Sequence, residues 1–298
     1  AHFFVWENSG TMRGFWCLIV ALVHVPAGYQ NRLQDMIGSF AYVGVTFFFL
    51  TSAYGLRLAA EKRPESIRYF WRHRLPKLLV PCVLANAVRM AAYAAGGSRV
   101  SPWMLAAIGG WVRWLLVCYL IFWLCYRFLP ETYRDWAVCG LVAAFSLAVY
   151  LSKQSGTTWC PEVLGFVWGI LLGRWKNRFT DWTDKGWLAK NAGLCLLSGV
   201  LGVGYLMGKG IPFWGDYVLK IVLGMAILGL ILGLNTKISI GNRVSRLLAA
   251  ISYEVFLLHD VSFFMLEKVF PGLNSGVFIL MSLLVTAALS LAVQRISA

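Results

Sequence analysis

The sequence predicts an all-α fold, a polytopic transmembrane helical bundle of about ten spans with both termini cytoplasmic, and three observations predict it. Hydrophobic residues make up 59% of the 298 and charged residues only 13%, a balance that a water-soluble domain of this size does not keep. Apolar runs recur along the whole chain at bilayer-crossing length, about 20 residues, the length at which a helix pairs its own backbone polar groups across the hydrocarbon. The basic residues, finally, alternate from loop to loop.

Reading apolar runs between charged or Gly/Pro-rich breaks places spans near 13–29, 37–57, 76–95, 111–129, 135–152, 161–175, 187–207, 213–234, 246–267 and 275–294. The first and sixth are short; a short span tilts, thins the bilayer around it, or sits inside the protein beside a cavity. With the N-terminus inside, nineteen Lys and Arg residues fall on the inner side, from Arg13 to Arg295, and only Arg32, Arg99, Lys153, Lys209 and Lys268 on the outer. That asymmetry is the positive-inside pattern, and it accounts for the net charge of +14 without nucleic acid. No linker or change of composition divides the chain, so 1–298 is expected to form a single transmembrane domain. The seven cysteines lack metal-ligand spacing and read as small buried hydrophobes, with no metal expected. The first span lacks a strongly basic leader and a small-residue cleavage site, so it does not read as a cleaved signal; the sequence opens on Ala1 rather than Met, so a few preceding residues are expected.

Ionisable groups within spans are costly unless paired or wet, and so mark candidate sites. His24 follows Arg13 by eleven residues, about three helical turns, which puts both on one face with roughly 16 Å of rise between them. His259 lies in the run ISYEVFLLHD. A straight helix entering near Arg246 carries it roughly 20 Å up, to a depth where it and His24 face one cavity. Glu254 stands five residues before His259, about 140° around the axis, which disfavours a direct pair. Arg89, Lys220, Glu162 and Arg113 fall in the outer half of the membrane and together imply a hydrated outer vestibule, with Arg113 and Glu162, near span ends, read as structural. The connection from Arg57 to Lys77 carries seven basic residues with Tyr69, Phe70 and Trp71 among them. It fits either contact with anionic headgroups or a phosphate-binding surface for a cytoplasmic cosubstrate. Intramembrane His, Arg and Glu also fit a secondary transporter or flippase, although no internal repeat is evident.

Four segments in order resemble the acyltransferase-3 family of bacterial membrane acyltransferases. MRGFWCLIVALVH, positions 12–24, is similar to the arginine–histidine motif of the family's first helix, here Arg13 and His24. GVTFFFLTSAYGLRL, positions 44–58, resembles the aromatic second helix that ends in a Ser-Gly pair, with Ser52 kept and Ala53 in the glycine's place. YFWRHRLPKLLVP, positions 69–81, resembles the basic segment before a proline-bearing third helix; Arg74 and Lys77 stand where two arginines three apart are frequent. ISYEVFLLH, positions 251–259, is similar to the late Ser-Tyr…His segment, with Phe256 for a frequent tyrosine.

The resemblance implies an O-acyltransferase of the bacterial inner membrane that moves an acyl group, acetyl being the expected one, from acetyl-CoA or another acyl-CoA to a hydroxyl. The acceptor would be a cell-surface or secreted carbohydrate or glycolipid. His24 would act as general base or as transient acyl carrier, with Arg13, His259 and Glu254 in the catalytic set. Arg13, Arg72, Arg74 and Lys77 would hold the CoA phosphates, and Ser52, Arg89 and Lys220 would meet the acceptor.

Overall fold

The structure is a computed structural model that describes residues 6–152 and 160–297, with the side chains of Trp6 and Glu7 left aside; Lys153, expected in an outer loop, lies outside the described residues. The described residues are helical, without strands. In chain order the helices are α1 Trp6–Val23, α2 Arg32–Gly38, α3 Ala41–Lys62, α4 Phe70–Ala95, α5 Gly110–Phe128, α6 Glu131–Ser152 and α7 Leu164–Arg174. They continue with α8 Lys176–Asp184, α9 Trp187–Gly208, α10 Lys220–Leu234, α11 Arg243–Ala250, α12 Ser252–Val269 and α13 Ser275–Ser297. A π turn, Trp214–Leu219, leads into α10.

Seven of these elements are long and apolar enough to cross a membrane, and an eighth is formed if α11 and α12 count as one broken span bent by 77°. The chain is thus a multi-pass membrane protein, with fewer full-length spans than the ten expected. Three places account for the difference. α7 has only eleven residues. α1 is already helical at Trp6, well ahead of 13, and its first half, WENSGTMRG, is polar. The straight ninth span is replaced by the bent pair, in which the Ser252 hydroxyl caps the broken end by donating to the Ala249 carbonyl at 3.0 Å. The exterior demands lipid: α9 turns Leu188, Leu196, Val200 and Val203 outward, each more than half exposed, a face that water does not tolerate at this density.

The chain divides into two compact units. One contains the chain up to Ser9, Tyr42–Phe70 and Arg113–Gly241. Its α7 packs on α3 through a row of glycines four residues apart: a Cβ at Gly165 or Gly169 would collide with the Thr46 or Leu50 carbonyl, and one at Gly173 with the Arg57 side chain. Small residues at this spacing let two membrane helices approach backbone to backbone. At the end of the row Asp135 of α6, buried, accepts from Arg57 at 3.3 Å, Arg174 at 3.1 Å and the Tyr126 hydroxyl. Elsewhere in this unit Asn8, buried in the polar half of α1, donates to the carbonyls of Asn235 and Ile238 and accepts from the Ile240 amide.

The other unit contains Gly10–Ala41, Trp71–Val112 and Asn242–Ala298. Here α1 lies on α11, where a Cβ on Gly14 would stand 2.7 Å from that of Leu248, and Thr11 donates to Ser245 at 3.0 Å. α12 packs along α13. The segment after α1 is pinned to α13 by Tyr29, stacked on Phe278 with centroids 3.7 Å apart, and by Ser275, which donates to the Tyr29 carbonyl.

Candidate active site

Both candidate histidines lie in this second unit, and it brings their rings together, with centroids 4.8 Å apart and planes at 52°. His24 stands one residue past the last helical residue of α1, and His259 lies inside α12. The end of α1 is held from several sides. Gln34 of α2 donates to the Leu22 carbonyl, one of the orphan acceptors a helix leaves at its C-terminus. α2 itself begins at a reciprocal Asn31–Gln34 capping box, and Gly38 leaves no side chain between α2 and Val23. Below the rings Val25, Tyr29, Phe263, Leu266 and Phe278 form an apolar floor. His259 meets Phe263 edge to face at 6.0 Å.

Each imidazole spends one nitrogen on its own helix. His24 Nδ1 lies 2.9 Å from the Val20 carbonyl, and His259 Nδ1 lies 3.1 Å from that of Val255. A carbonyl only accepts, so Nδ1 carries the proton in both rings, and in the neutral ring Nε2 bears the lone pair. The two differ in access: His259 is buried and His24 is exposed. The arrangement offers one exposed imidazole able to take a proton or attack a carbonyl, backed by a second imidazole fixed in the same tautomer.

The break at Ile251 corrects the route by which His259 was expected to reach this place. The helix does not rise straight from Arg246; α12 starts at Ser252, and seven residues of rise, about 10 Å, bring His259 to its position.

Next to His259, Asp260 receives a two-pronged contact from Arg89 of α4, Nε to Oδ2 and Nη2 to Oδ1, both 3.1 Å. The same guanidinium donates to the Leu257 carbonyl at 2.7 Å and to Asn86. Asn86 in turn donates to the carbonyls of Leu105 and Ala107. Arg89 thereby locks α4 onto the turn of α12 that carries His259. Further down α12, Tyr253 donates to the Leu78 carbonyl at 2.8 Å and meets Cys82. Asp260, Asn86 and Tyr253 were not singled out in the sequence. The signal for Asp260 was there, a carboxylate and an arginine of opposite charge in two different apolar spans.

The remaining expected residues are distributed as follows. Arg13 lies half-buried in α1, beside the Gly14 contact with α11. Glu254 is buried in α12, and its Oε2 has no hydrogen-bond partner among the described residues. Arg72, Arg74 and Lys77 lie in the opening turns of α4, not in an extended connection: α3 runs to Lys62, a short 3-10 helix spans Pro64–Tyr69, and α4 begins at Phe70. The helix sets Arg74 and Lys77 on one face and turns Arg72 to another. Ser52 and Lys220 belong to the other unit. Ser52 is half-buried in α3. Lys220 pairs with buried Glu162 at 3.3 Å and lies 5.3 Å from the Tyr42 ring centroid. Of the expected vestibule charges, then, Arg89, Lys220 and Glu162 stand in two ion pairs, while Arg113 is exposed.

The described residues thus form a helical membrane protein in which two imidazoles meet at the end of the first helix. Residues 9–295 match the acyltransferase domain of acyltransferase family 3, and the chain belongs to that family. It is an acyltransferase. No curated protein and no solved structure matches it.

Proposed function

We propose that the chain is an O-acyltransferase of the bacterial inner membrane, acting as one catalytic domain with both termini cytoplasmic. It moves an acyl group, acetyl in the first instance, from acyl-CoA to a hydroxyl of a cell-surface or secreted glycan or glycolipid. The observation that carries the reading is the His24–His259 contact, with Nδ1 of each ring tied to a carbonyl and His24 the exposed member of the pair.

In this reaction the acceptor hydroxyl oxygen attacks the thioester carbonyl carbon while His24 Nε2 takes its proton. The carbon–sulfur bond then breaks, and the imidazolium returns the proton to the departing CoA thiolate, which leaves an ester and free CoA. A positioned base of this kind contributes roughly 10²–10⁴-fold. His259 holds the His24 ring, and Glu254 completes the ionisable set of α12. Arg13, together with Arg72, Arg74 and Lys77 at the start of α4, meets the phosphates of the donor. Of the residues expected to meet the acceptor, Arg89 shares a unit with the two histidines and is assigned to acceptor binding, also fixing α12. The family supports this reading over transport, which asks for no acyl chemistry.

The same Nε2 also suits a nucleophile, so the test has two arms. Purified protein is given radiolabelled acetyl-CoA with and without a glycan acceptor, and protein and product are separated after acid quench. Labelled glycan from the wild type, none from His24→Ala, and no label on protein without acceptor is the expected result. Label held on the protein and lost in His24→Ala identifies an acyl-histidine instead. Full transfer by a well-folded His24→Ala sinks both.

A further inference from the structure

Away from the histidines, the unit that holds α3 and α6–α10 contains two cavities that share a wall. The first, about 610 Å³, opens where α3 ends and α6 and α8 begin. Five of its lining side chains are basic: Arg57, Arg134, Arg174, Lys176 and Arg178. Its three acidic residues are already engaged. Asp135 takes Arg57, Arg174 and Tyr126, while Glu61 pairs with Arg57 at 2.7 Å and Glu131 with Arg134 at 3.0 Å. Lys176 and Arg178 have no carboxylate partner among the described residues, and Arg134 Nε is buried without a hydrogen-bond partner among them. The cavity therefore holds surplus positive charge and open N–H donors, the chemistry that receives a phosphate.

The second cavity, about 310 Å³, is apolar, with Leu50, Trp168, Leu172, Phe179 and Leu232 in its wall. Trp175 lines both. It stands edge to face with Trp136 at 5.8 Å, and Arg174 lies 5.5 Å from the Trp136 ring centroid. A free anion has no use for the apolar neighbour, and the sugar and base of a nucleotide are poorly matched to it. A phosphate joined to hydrocarbon uses both, with a tryptophan at the level where the two meet.

We propose that this is a binding site for an anionic phospholipid, its phosphate in the basic cavity and an acyl chain along the apolar one. The inference stands apart from the acyl-transfer chemistry. Basic pockets between membrane helices take such headgroups, each nearby Lys or Arg adding about a factor of five in affinity.

The test is native mass spectrometry of the delipidated full chain in detergent, offered equal amounts of phosphatidylglycerol and phosphatidylcholine. Wild type retains phosphatidylglycerol about twenty-five-fold over phosphatidylcholine, and Lys176→Gln with Arg178→Gln brings the ratio close to one. Both positions line the cavity mouth, Arg178 exposed and Lys176 half-buried, so an unchanged thermal melt accompanies that loss. Arg178→Glu alone lowers the ratio further than Arg178→Gln. Equal retention of the two lipids by wild type, or a ratio that survives the double substitution, overturns the proposal. Two competitors separate the sources of phosphate: displacement of the lipid by glycerol 3-phosphate at equal concentration makes this a simple anion site, and displacement by CoA a nucleotide site. Either result also overturns it.

Discussion

The histidine pair at the end of α1 and the Asp135 knot between α3, α6 and α7 solve the same problem, an ionisable group among apolar helices, in opposite ways. Asp135 is saturated: two guanidiniums and a tyrosine hydroxyl converge on its two oxygens, and it is buried. Each histidine is only half satisfied, with one ring nitrogen bonded to its own helix and the other left over. A polar group with every valence met is part of the scaffold. One with a valence open is available for chemistry, and the proposed function assigns that chemistry to His24, the exposed member.

The sharpest way to break the contrast is His24→Ala, which should cost roughly 10²–10⁴-fold in turnover while far-UV circular dichroism and the thermal melt stay put. Asp135→Ala should do the reverse. Arg57 and Arg174 are half-buried and Arg57 keeps Glu61, so the loss falls mainly on the buried Tyr126 hydroxyl and costs about 1–3 kcal/mol of stability, read as a lowered melting midpoint in detergent, with turnover per folded molecule preserved. Arg89→Lys tests a residue between the two classes. It keeps the charge but loses the fork onto Asp260, and a slight displacement of the turn bearing His259 should lower kcat roughly ten- to a hundredfold. A rise in acceptor KM with kcat unchanged would make Arg89 an acceptor-binding residue alone. The smallest effect is expected from Arg74→Gln or Lys77→Gln, about fivefold each in the KM for acyl-CoA, diminishing as salt is raised; an unchanged KM removes that face of α4 from the donor site.

Much of this was legible in the sequence where one-dimensional spacing carries the information. Arg13 sits in α1 and His24 one residue past its end, so counting residues placed them close to where they stand, and His24 and His259 stood out as costly groups in apolar runs. What spacing does not carry is a partner from another segment. The polar start of α1 is helical because Asn8 finds backbone groups at 235–240 more than two hundred residues away, so the helical turns ahead of position 13 were hidden. The break at Ile251 was equally hidden, since AAISYE reads as an unbroken helix and the capping bond from Ser252 back to Ala249 appears only once the chain has turned. α7 was expected as a short span, but its glycines disclose their purpose only against α3. Asp260 and Arg89 were each visible as charges, and their pairing was not.

Those glycines leave α7 with a hazard that the Asp135 knot removes. Gly165, Gly169 and Gly173 are evenly spaced notches, and a helix with even notches can slide along its neighbour by four residues, about 6 Å, and still seat a glycine at two of the three crossings. Apolar packing alone tells such positions apart poorly. Arg57 and Arg174 meet a single carboxylate at one end of the row, and any slide would carry Arg174 out of its reach. The charges act as the index mark on a ruler whose divisions are all alike.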